Sequence, residues 1–275
     1  MRISIFVFLC AIILSNSAHL SAQRFLSKEW ADSIKVKKER KEANGSLMVM
    51  PLAGPAYTPE LKLSFAGGVM TSFMTNKKDS LIQRSSAPIM LGLSTSGAYF
   101  IGTKLTSFWL QDKIRIYGDF NFKHMPDNYW GVGYDEGRYT EKSDSTTAYT
   151  RTWWQINPRI LWQFKPNYFA GLVIDYNYTQ GSEASKGVAE DPYYQQDKDR
   201  PLNGGFGLIF QFDSRDVPVN AWSGMFAEFS ATSYNTAFGG DNNYEIIIAD
   251  FRKYWTIKKQ GRTIATQLKG QGNCF

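Results

Sequence analysis

Three charged residues, Asp213, Arg215 and Asp216, lie together in the segment FQFDSRDVPVNAWSG, which covers residues 210–224. Two carboxylates beside a guanidinium could form an acid and base pair or hold a metal ion. The same segment also suits a turn at Pro218 and Gly224, because Asp and Ser accept hydrogen bonds from nearby backbone amides and proline fixes its own φ. Whether these residues form a reactive site or a turn depends on the elements on either side of the segment.

Residues for other kinds of chemistry are scarce. The chain has two histidines and two cysteines, and one of each falls in a predicted secretion signal over residues 1–22. His124 is then the only base that a Ser-His-Asp hydrolase could use, and no serine context matches it. A zinc site needs three or four ligands, whereas His124 and Cys274 are far apart in the sequence. We therefore predict no catalytic residue, no metal and no cofactor, and keep a lipid hydrolase that uses His124 as a less favoured alternative.

The N-terminus has the pattern of a signal peptide. Arg2 precedes an apolar run from Ile3 to Leu14, and a polar stretch ends at Ala22, the predicted cleavage site. The run is too short for a membrane-spanning helix, which needs ~20 residues, and no later segment approaches that length. The formal net charge of +6 is dispersed without a basic patch, so we predict no nucleic-acid partner.

Residues 23–60 are predicted to be a charged N-terminal tail or linker. Ten of the fifteen residues from Lys28 to Glu42 are charged, which is typical of a solvated tail or short helix. Prolines and Gly54 then interrupt the chain before the first predicted strand.

From residue 61 to residue 275 the hydrophobic period is two. The clearest case is KIRIYGDFNFK, where Ile114, Ile116, Phe120 and Phe122 share one face and polar residues share the other. We predict about ten strands, at 62–74, 88–96, 98–110, 113–123, 151–164, 168–180, 203–213, 223–235, 243–257 and 262–272. Most reach the ~9 to 11 residues that a membrane-crossing strand requires, whereas strands of globular proteins are about 5 to 6 residues long.

The composition and the connections favour a membrane barrel. Aromatic residues make up 15% of the chain, with 8 Trp, 15 Tyr and 19 Phe, and most tryptophans fall near predicted strand ends, as in interfacial girdles. Tight connections such as 165–167 and 258–261 alternate with long polar ones at 124–150 and 181–201. The two short connections at 96–97 and 111–112 break this alternation, so a turn is misplaced or the strand count is off by one, and we assign no orientation. The predicted fold is all-β, an antiparallel transmembrane β-barrel.

Two groups of residues resemble a known family. The segment DSRDVPVNAWSG, with Asp213, Arg215, Asp216, Pro218 and Gly224, followed by an Asp-x-Arg-x-Tyr sequence at Asp250, Arg252 and Tyr254, resembles the bacterial surface antigen family. The segment MPDNYWGVGYD is similar to that family's aromatic-Gly-x-Gly-Asn sequence at Tyr129, Trp130, Gly131 and Gly133, with Tyr134 in place of Asn.

The resemblance implies the outer membrane of a Gram-negative bacterium and a barrel of the kind found in barrel-assembly and translocation-assembly factors. It implies a role in inserting or translocating protein or lipid, with outer-membrane lipid and client polypeptides as partners. The alternative is a passive pore or structural barrel. The family's barrel has 16 strands and is preceded by periplasmic transport-associated domains. We expect this chain to lack those domains, because only about 40 residues separate Gln23 from the first predicted strand. We also expect it to be cut inside a longer barrel, because the family's Arg-Gly-aromatic loop does not occur in it.

Overall fold

The computed structural model of this protein describes residues 28–77, 82–218, 220–257 and 262–274. The predicted signal peptide over 1–22 and the predicted tight turn at 258–261 lie outside these residues. The chain divides into two compact units at Met48 and Val49. In the described part of the first unit, one helix, α1, extends from Lys28 to Ala43 and is exposed along Asp32–Lys41. No helix in the described residues is long and apolar enough to span a membrane.

The second unit is an antiparallel sheet of twelve strands. The strands are β1 (Met48–Thr58), β2 (Lys62–Phe73), β3 (Ser85–Ser86), β4 (Ile89–Ser94), β5 (Tyr99–Trp109), β6 (Ile114–Asn128), β7 (Ala148–Lys165), β8 (Tyr168–Ser182), β9 (Leu202–Asp213), β10 (Gly224–Tyr234), β11 (Tyr244–Thr256) and β12 (Thr263–Cys274). Successive strands pair along the chain, except that β3 and β4 each pair with β2 and β5 and not with each other. Among the described residues, β1 and β12 are the edges of the sheet.

All ten predicted strands occur in the structure, but the predicted count of about ten is too low. The two further strands are β1 and the two-residue β3. The predicted tail over 23–60 therefore contains a strand as well as the helix α1. Its Pro51, Gly54 and Pro55 were interpreted as strand breakers, yet proline is tolerated in an edge strand, where its missing N–H faces away from the ladder.

The connections alternate between two ends of the sheet. We call one the loop end; it carries the connections 129–147, 183–201 and 235–243, which hold short helical segments. These segments are α2 (Tyr134–Tyr139), α3 (Lys186–Glu190), α4 (Pro192–Asp197) and a 3₁₀ turn (Thr236–Phe238). The other, the turn end, carries the connections 110–113, 166–167 and 214–223. Both short early connections are real turns, and they lie at opposite ends because β4, β5 and β6 run antiparallel.

The two faces of the sheet differ as the period of two predicts. On the outward face, large apolar side chains such as Trp162, Leu172 and Phe210 are exposed. On the inward face, Leu161, Phe169, Val173 and Ile209 form a buried cluster, against which Tyr117 packs. An exposed apolar face is stable where it meets lipid, so the outward face is the surface that contacts the membrane.

Candidate functional site

The residues from Ser214 to Ser223 form the turn between β9 and β10. Oδ1 of Asp216 accepts backbone N–H bonds from Val217 at 2.8 Å, Trp222 at 3.0 Å and Ser223 at 3.3 Å. Slight desolvation acts against ionisation of Asp216, but these backbone amides stabilise the anion and hold the pKa of its carboxyl below the usual value. Asp216 therefore shapes the turn with its charge.

Asp213, the last residue of β9, lies at the centre of a buried group of charges at the turn end. Its Oδ2 accepts from Arg115 Nη1 at 2.7 Å, and its Oδ1 accepts from Arg215 Nε at 2.8 Å. Arg115 also donates to both oxygens of Asp112, at 2.8 and 2.6 Å. Arg115 is only 2% exposed and Asp213 only 5%, so this pair is shielded from water. We call Asp112, Arg115, Asp213 and Arg215 the ion cluster.

Aromatic rings cover the guanidinium groups of the ion cluster. The Arg115 guanidinium carbon lies 3.9 Å from the centre of the Phe169 ring, and that of Arg215 lies 4.4 Å from the Phe226 ring. A cation above the face of a ring is attracted by its quadrupole, more so where water is excluded. The rings therefore partly replace the hydration that the guanidinium groups lose on burial.

A second ion pair lies beside the cluster on β11. Arg252 donates to Asp250 at 2.5 Å, and Gln267 of β12 donates to the same carboxylate at 3.0 Å. The Arg252 guanidinium lies 5.2 Å from the Phe226 ring, which also contacts Arg215. Phe226 thus connects the turn residues to the β11 pair. Tyr254 lies further along β11 and pairs in register with Gly224.

Pro218 and Gly224 fix the course of the turn. The Pro218 carbonyl accepts from Arg215 Nη1 at 2.7 Å, which anchors the turn to the ion cluster. Gly224 has a φ of 105°, in the region that favours glycine, and a Cβ at this position would lie 2.4 Å from the Ser214 carbonyl oxygen.

Gly131 and Gly133 lie at the loop end, apart from the ion cluster. Both have positive φ, 86° and 120°, and Gly133 precedes α2. Nearby, the Tyr129 hydroxyl donates to Asp191 at 3.1 Å. Burial, and then this bond to a carboxylate, raise the pKa of Tyr129 to about 12. These glycines therefore shape the 129–147 connection.

His124 lies within β6, which continues to Asn128 and so shortens the connection predicted at 124–150. Its Nδ1 is 2.9 Å from the Thr152 hydroxyl, and its ring stacks on Tyr99 with 5.0 Å between ring centres. The hydroxyl beside this histidine belongs to a threonine, whereas the hydrolase alternative requires a serine.

The contacts of the ion cluster favour a structural role. Both oxygens of Asp213 are occupied by guanidinium donors, so the carboxylate is held as an anion and acts as an acceptor. Within the described ranges, no group of three His, Cys, Asp or Glu residues is placed to hold a metal ion. The buried contact between Arg115 and Asp213 connects residues 98 positions apart on β6 and β9.

The sequence missed most partners in this group. The alternation predicts that Arg115 lies on the polar face of its strand. The residues next to it in the sequence do not indicate that it pairs with Asp213. Phe169 and Phe226 are ordinary alternating aromatics in the sequence. Only the order of strands around the sheet brings them together.

We expect replacement of Asp216 by Asn to destabilise the turn by about 1 kcal/mol, since an amide oxygen is a weaker acceptor for the three backbone N–H groups. The pKa of Asp216 is lowered in the folded state, so its stabilisation is complete above the unfolded pKa and is lost as pH falls through the folded pKa. Urea unfolding in lipid vesicles at pH 7 and at progressively lower pH measures both effects. A difference between wild type and Asp216→Asn that stays constant down to the lowest pH would contradict this assignment.

Comparison with known proteins identifies a family that this chain matches. Residues 93–274, more than half of the chain, match the Omp85 superfamily domain. Among solved structures, the chain is similar to the crystal structure of BamA from Haemophilus ducreyi lacking POTRA domains 1–3, with 15% identity and a TM-score of 0.42. That alignment covers 84% of this chain and 42% of the BamA chain, so this chain spans less than half of that structure's length. No curated protein matches the chain.

The resemblance to the bacterial surface antigen family is thus confirmed by the match over residues 93–274. The predicted all-β fold agrees with the twelve-stranded antiparallel sheet. This chain belongs to the Omp85 superfamily and is an antiparallel β-barrel protein of the Gram-negative outer membrane.

Proposed function

We propose that this protein inserts or translocates client polypeptides at the outer membrane, with pairing of a client strand at the edge of β1 as the central step. Membership of the Omp85 superfamily supports the general role. The observation that carries the step is the composition of β1, an edge strand that contains Pro51, Gly54 and Pro55.

The two prolines of β1 act on the same side of the strand. Backbone N–H groups point alternately to the two sides of a strand, so Pro51 and Pro55, four residues apart, remove donors from one side. β1 pairs with β2 on one side, and proline is tolerated where its missing N–H faces away from the ladder, so we assign the two prolines to the open edge. An edge that lacks two donors binds a neighbouring strand weakly, which allows it to open and accept another strand by β-augmentation.

The exposure of β1 supports the same step. Val49, Met50 and Tyr57 are all more than half exposed, and the described residues of β1 include no buried side chain. Sheet regions with few packed side chains open at the lowest free-energy cost. No catalytic residue is required, because the client gains main-chain hydrogen bonds directly.

A client-folding assay tests this function. The full chain is folded into phospholipid vesicles, a urea-unfolded eight-stranded outer-membrane barrel is added, and client folding is followed by gel mobility. We expect folding several-fold faster than in empty vesicles. The double variant Pro51→Thr/Pro55→Thr restores two donors and favours stable pairing at the edge, so it is expected to slow client folding.

The matched control is Pro126→Thr, which changes a proline in β6, a strand with a neighbour on each side. It should leave client folding unchanged. If wild type gives no acceleration while the vesicles show a steady conductance, the passive pore is the better description and client insertion is excluded.

A further inference from the structure

The outward face of the sheet contains an apolar hollow of about 380 Å³ that spans β4 to β7. Its polar exposed surface is negligible. The outward-facing side chains that line it are Ile89, Ile101, Thr103, Phe120, Phe122, Trp154 and Ile156. We call this feature the outer hollow.

Thr103 is the reason for the depression. It pairs in register with Ile89 on one side and Phe120 on the other, and both neighbours are larger. Ile156 pairs with Phe120 one strand further. A small residue among bulky ones leaves a space that no side chain of this wall fills, and an unfilled apolar space loses dispersion contacts.

The outer hollow leads toward a polar group near the loop end. His124 is four residues from Phe120 on β6, about 14 Å at ~3.4 Å per residue. Nδ1 of His124 contacts Thr152, and in the described residues Nε2 has no hydrogen-bond partner. Trp154 at the hollow's border stacks on Tyr178, with 5.8 Å between ring centres and 4° between ring planes. Amphipathic aromatics of this kind lie at the level of lipid headgroups.

We propose that the outer hollow and His124 form a binding site for one glycerophospholipid. An acyl chain fills the hollow beside Thr103, and a phosphate or ester oxygen accepts a hydrogen bond from Nε2 of His124. The ~14 Å from Phe120 to His124 follows a strand tilted by ~45°, so their depths differ by about 10 Å, which lies within the ~15 Å of one leaflet and within reach of one lipid. This inference does not depend on the proposed client insertion.

The position of the outer hollow indicates which molecule occupies it. It opens on the exposed apolar face that contacts hydrocarbon, so an acyl chain is the molecule that meets it directly. Filling the hollow returns the dispersion contacts that the small Thr103 leaves unmade.

Native mass spectrometry tests the site. The full chain is folded in vesicles of palmitoyl-oleoyl phosphatidylethanolamine, extracted in mild detergent, and the fraction that retains one lipid is measured. We expect Thr103→Leu, which fills the hollow, to reduce that fraction on the order of tenfold, since ~1.4 kcal/mol of lost contact is a factor of ten. His124→Ala should reduce it several-fold by removing the headgroup donor.

The control is Ala231→Leu, which introduces the same leucine, with a larger gain in volume, on the outward side of β10, away from the hollow. It should leave retention unchanged. If wild type retains no lipid, or if Thr103→Leu and Ala231→Leu lower retention equally, the lipid is held only as part of the general annulus and the site is refuted. Should Thr103→Leu fail to fold, His124→Ala decides alone, with unchanged retention counting against the site.

Discussion

Replacement of Asp213 by Ala is expected to destabilise the folded barrel by about 3–5 kcal/mol. The substitution leaves Arg215 without a carboxylate partner and Arg115 with Asp112 alone, so two guanidinium groups share one anion at a buried site. Removing one partner of a buried ion pair costs this much because the remaining charge is neither hydrated nor neutralised. Here two guanidinium groups lose the same carboxylate, which they contact at 2.7 and 2.8 Å.

Urea unfolding followed by tryptophan fluorescence in lipid vesicles measures the loss. Asp213→Asn keeps the shape and an acceptor oxygen but not the charge, so its cost should fall below that of Asp213→Ala. The matched control is Asp119→Ala, which breaks the Arg159–Asp119 pair at 2.9 Å, whose side chains are 21% and 24% exposed. Water can replace this carboxylate, and we expect a loss of about 1 kcal/mol. If Asp213→Ala and Asp119→Ala lower the free energy of unfolding equally, burial of the ion cluster does not explain the stabilising effect of Asp213.

The positions of the strands could be predicted well from the sequence. In a barrel wall each residue meets either lipid or the interior, so the alternation at Ile114–Phe122 is a direct consequence of its surroundings. All ten predicted strands appear for this reason. β6 and β7 extend beyond the prediction because polar residues such as His124 and Asp127 continue the strand outside the apolar alternation.

The N-terminal strand shows where local rules fail. β1 contains two prolines and a glycine, which usually mark a loop, and its pairing with β2 overrides them. An edge strand needs ladder donors on one side only. Nothing within residues 48–58 reveals that the strand will lie at an edge, so the sequence alone could not distinguish it from a linker.

The candidate site was found only in part, for a topological reason. Asp213, Arg215 and Asp216 are close in sequence, and their charge pattern drew attention to the turn. Arg115 is 98 positions from Asp213, and its contact exists because β7 and β8 place β6 and β9 close enough for a long side chain to cross between them. Because arginines occupy the carboxylate of Asp213 in this contact, we retain the interpretation of these residues as part of a turn, and it stays a prediction.

Gly224→Ala is the substitution in the turn that we expect to cost most after those at Asp213, about 3 kcal/mol. Two effects add. A residue with a side chain is strained at a φ of 105°, and the added Cβ would lie 2.4 Å from the Ser214 carbonyl oxygen and 2.7 Å from the Arg215 Cα, so backbone must move. That movement displaces Arg215 from Asp213 and disturbs the ion cluster as well as the turn.

Gly239→Ala separates the two effects. Gly239 has a φ of 82°, but nothing lies within 4 Å of a Cβ at that position, so this variant carries the dihedral strain without the collision. We expect it to lose about 1 kcal/mol in the same urea titration. The excess cost of Gly224→Ala then measures the close approach of β10 to the turn. This excess cost should be smaller in an Asp213→Ala background, because the contact between Arg215 and Asp213 is already absent there. Equal costs for the two glycine variants, or full additivity of Gly224→Ala with Asp213→Ala, would mean that the turn and the ion cluster are independent structures.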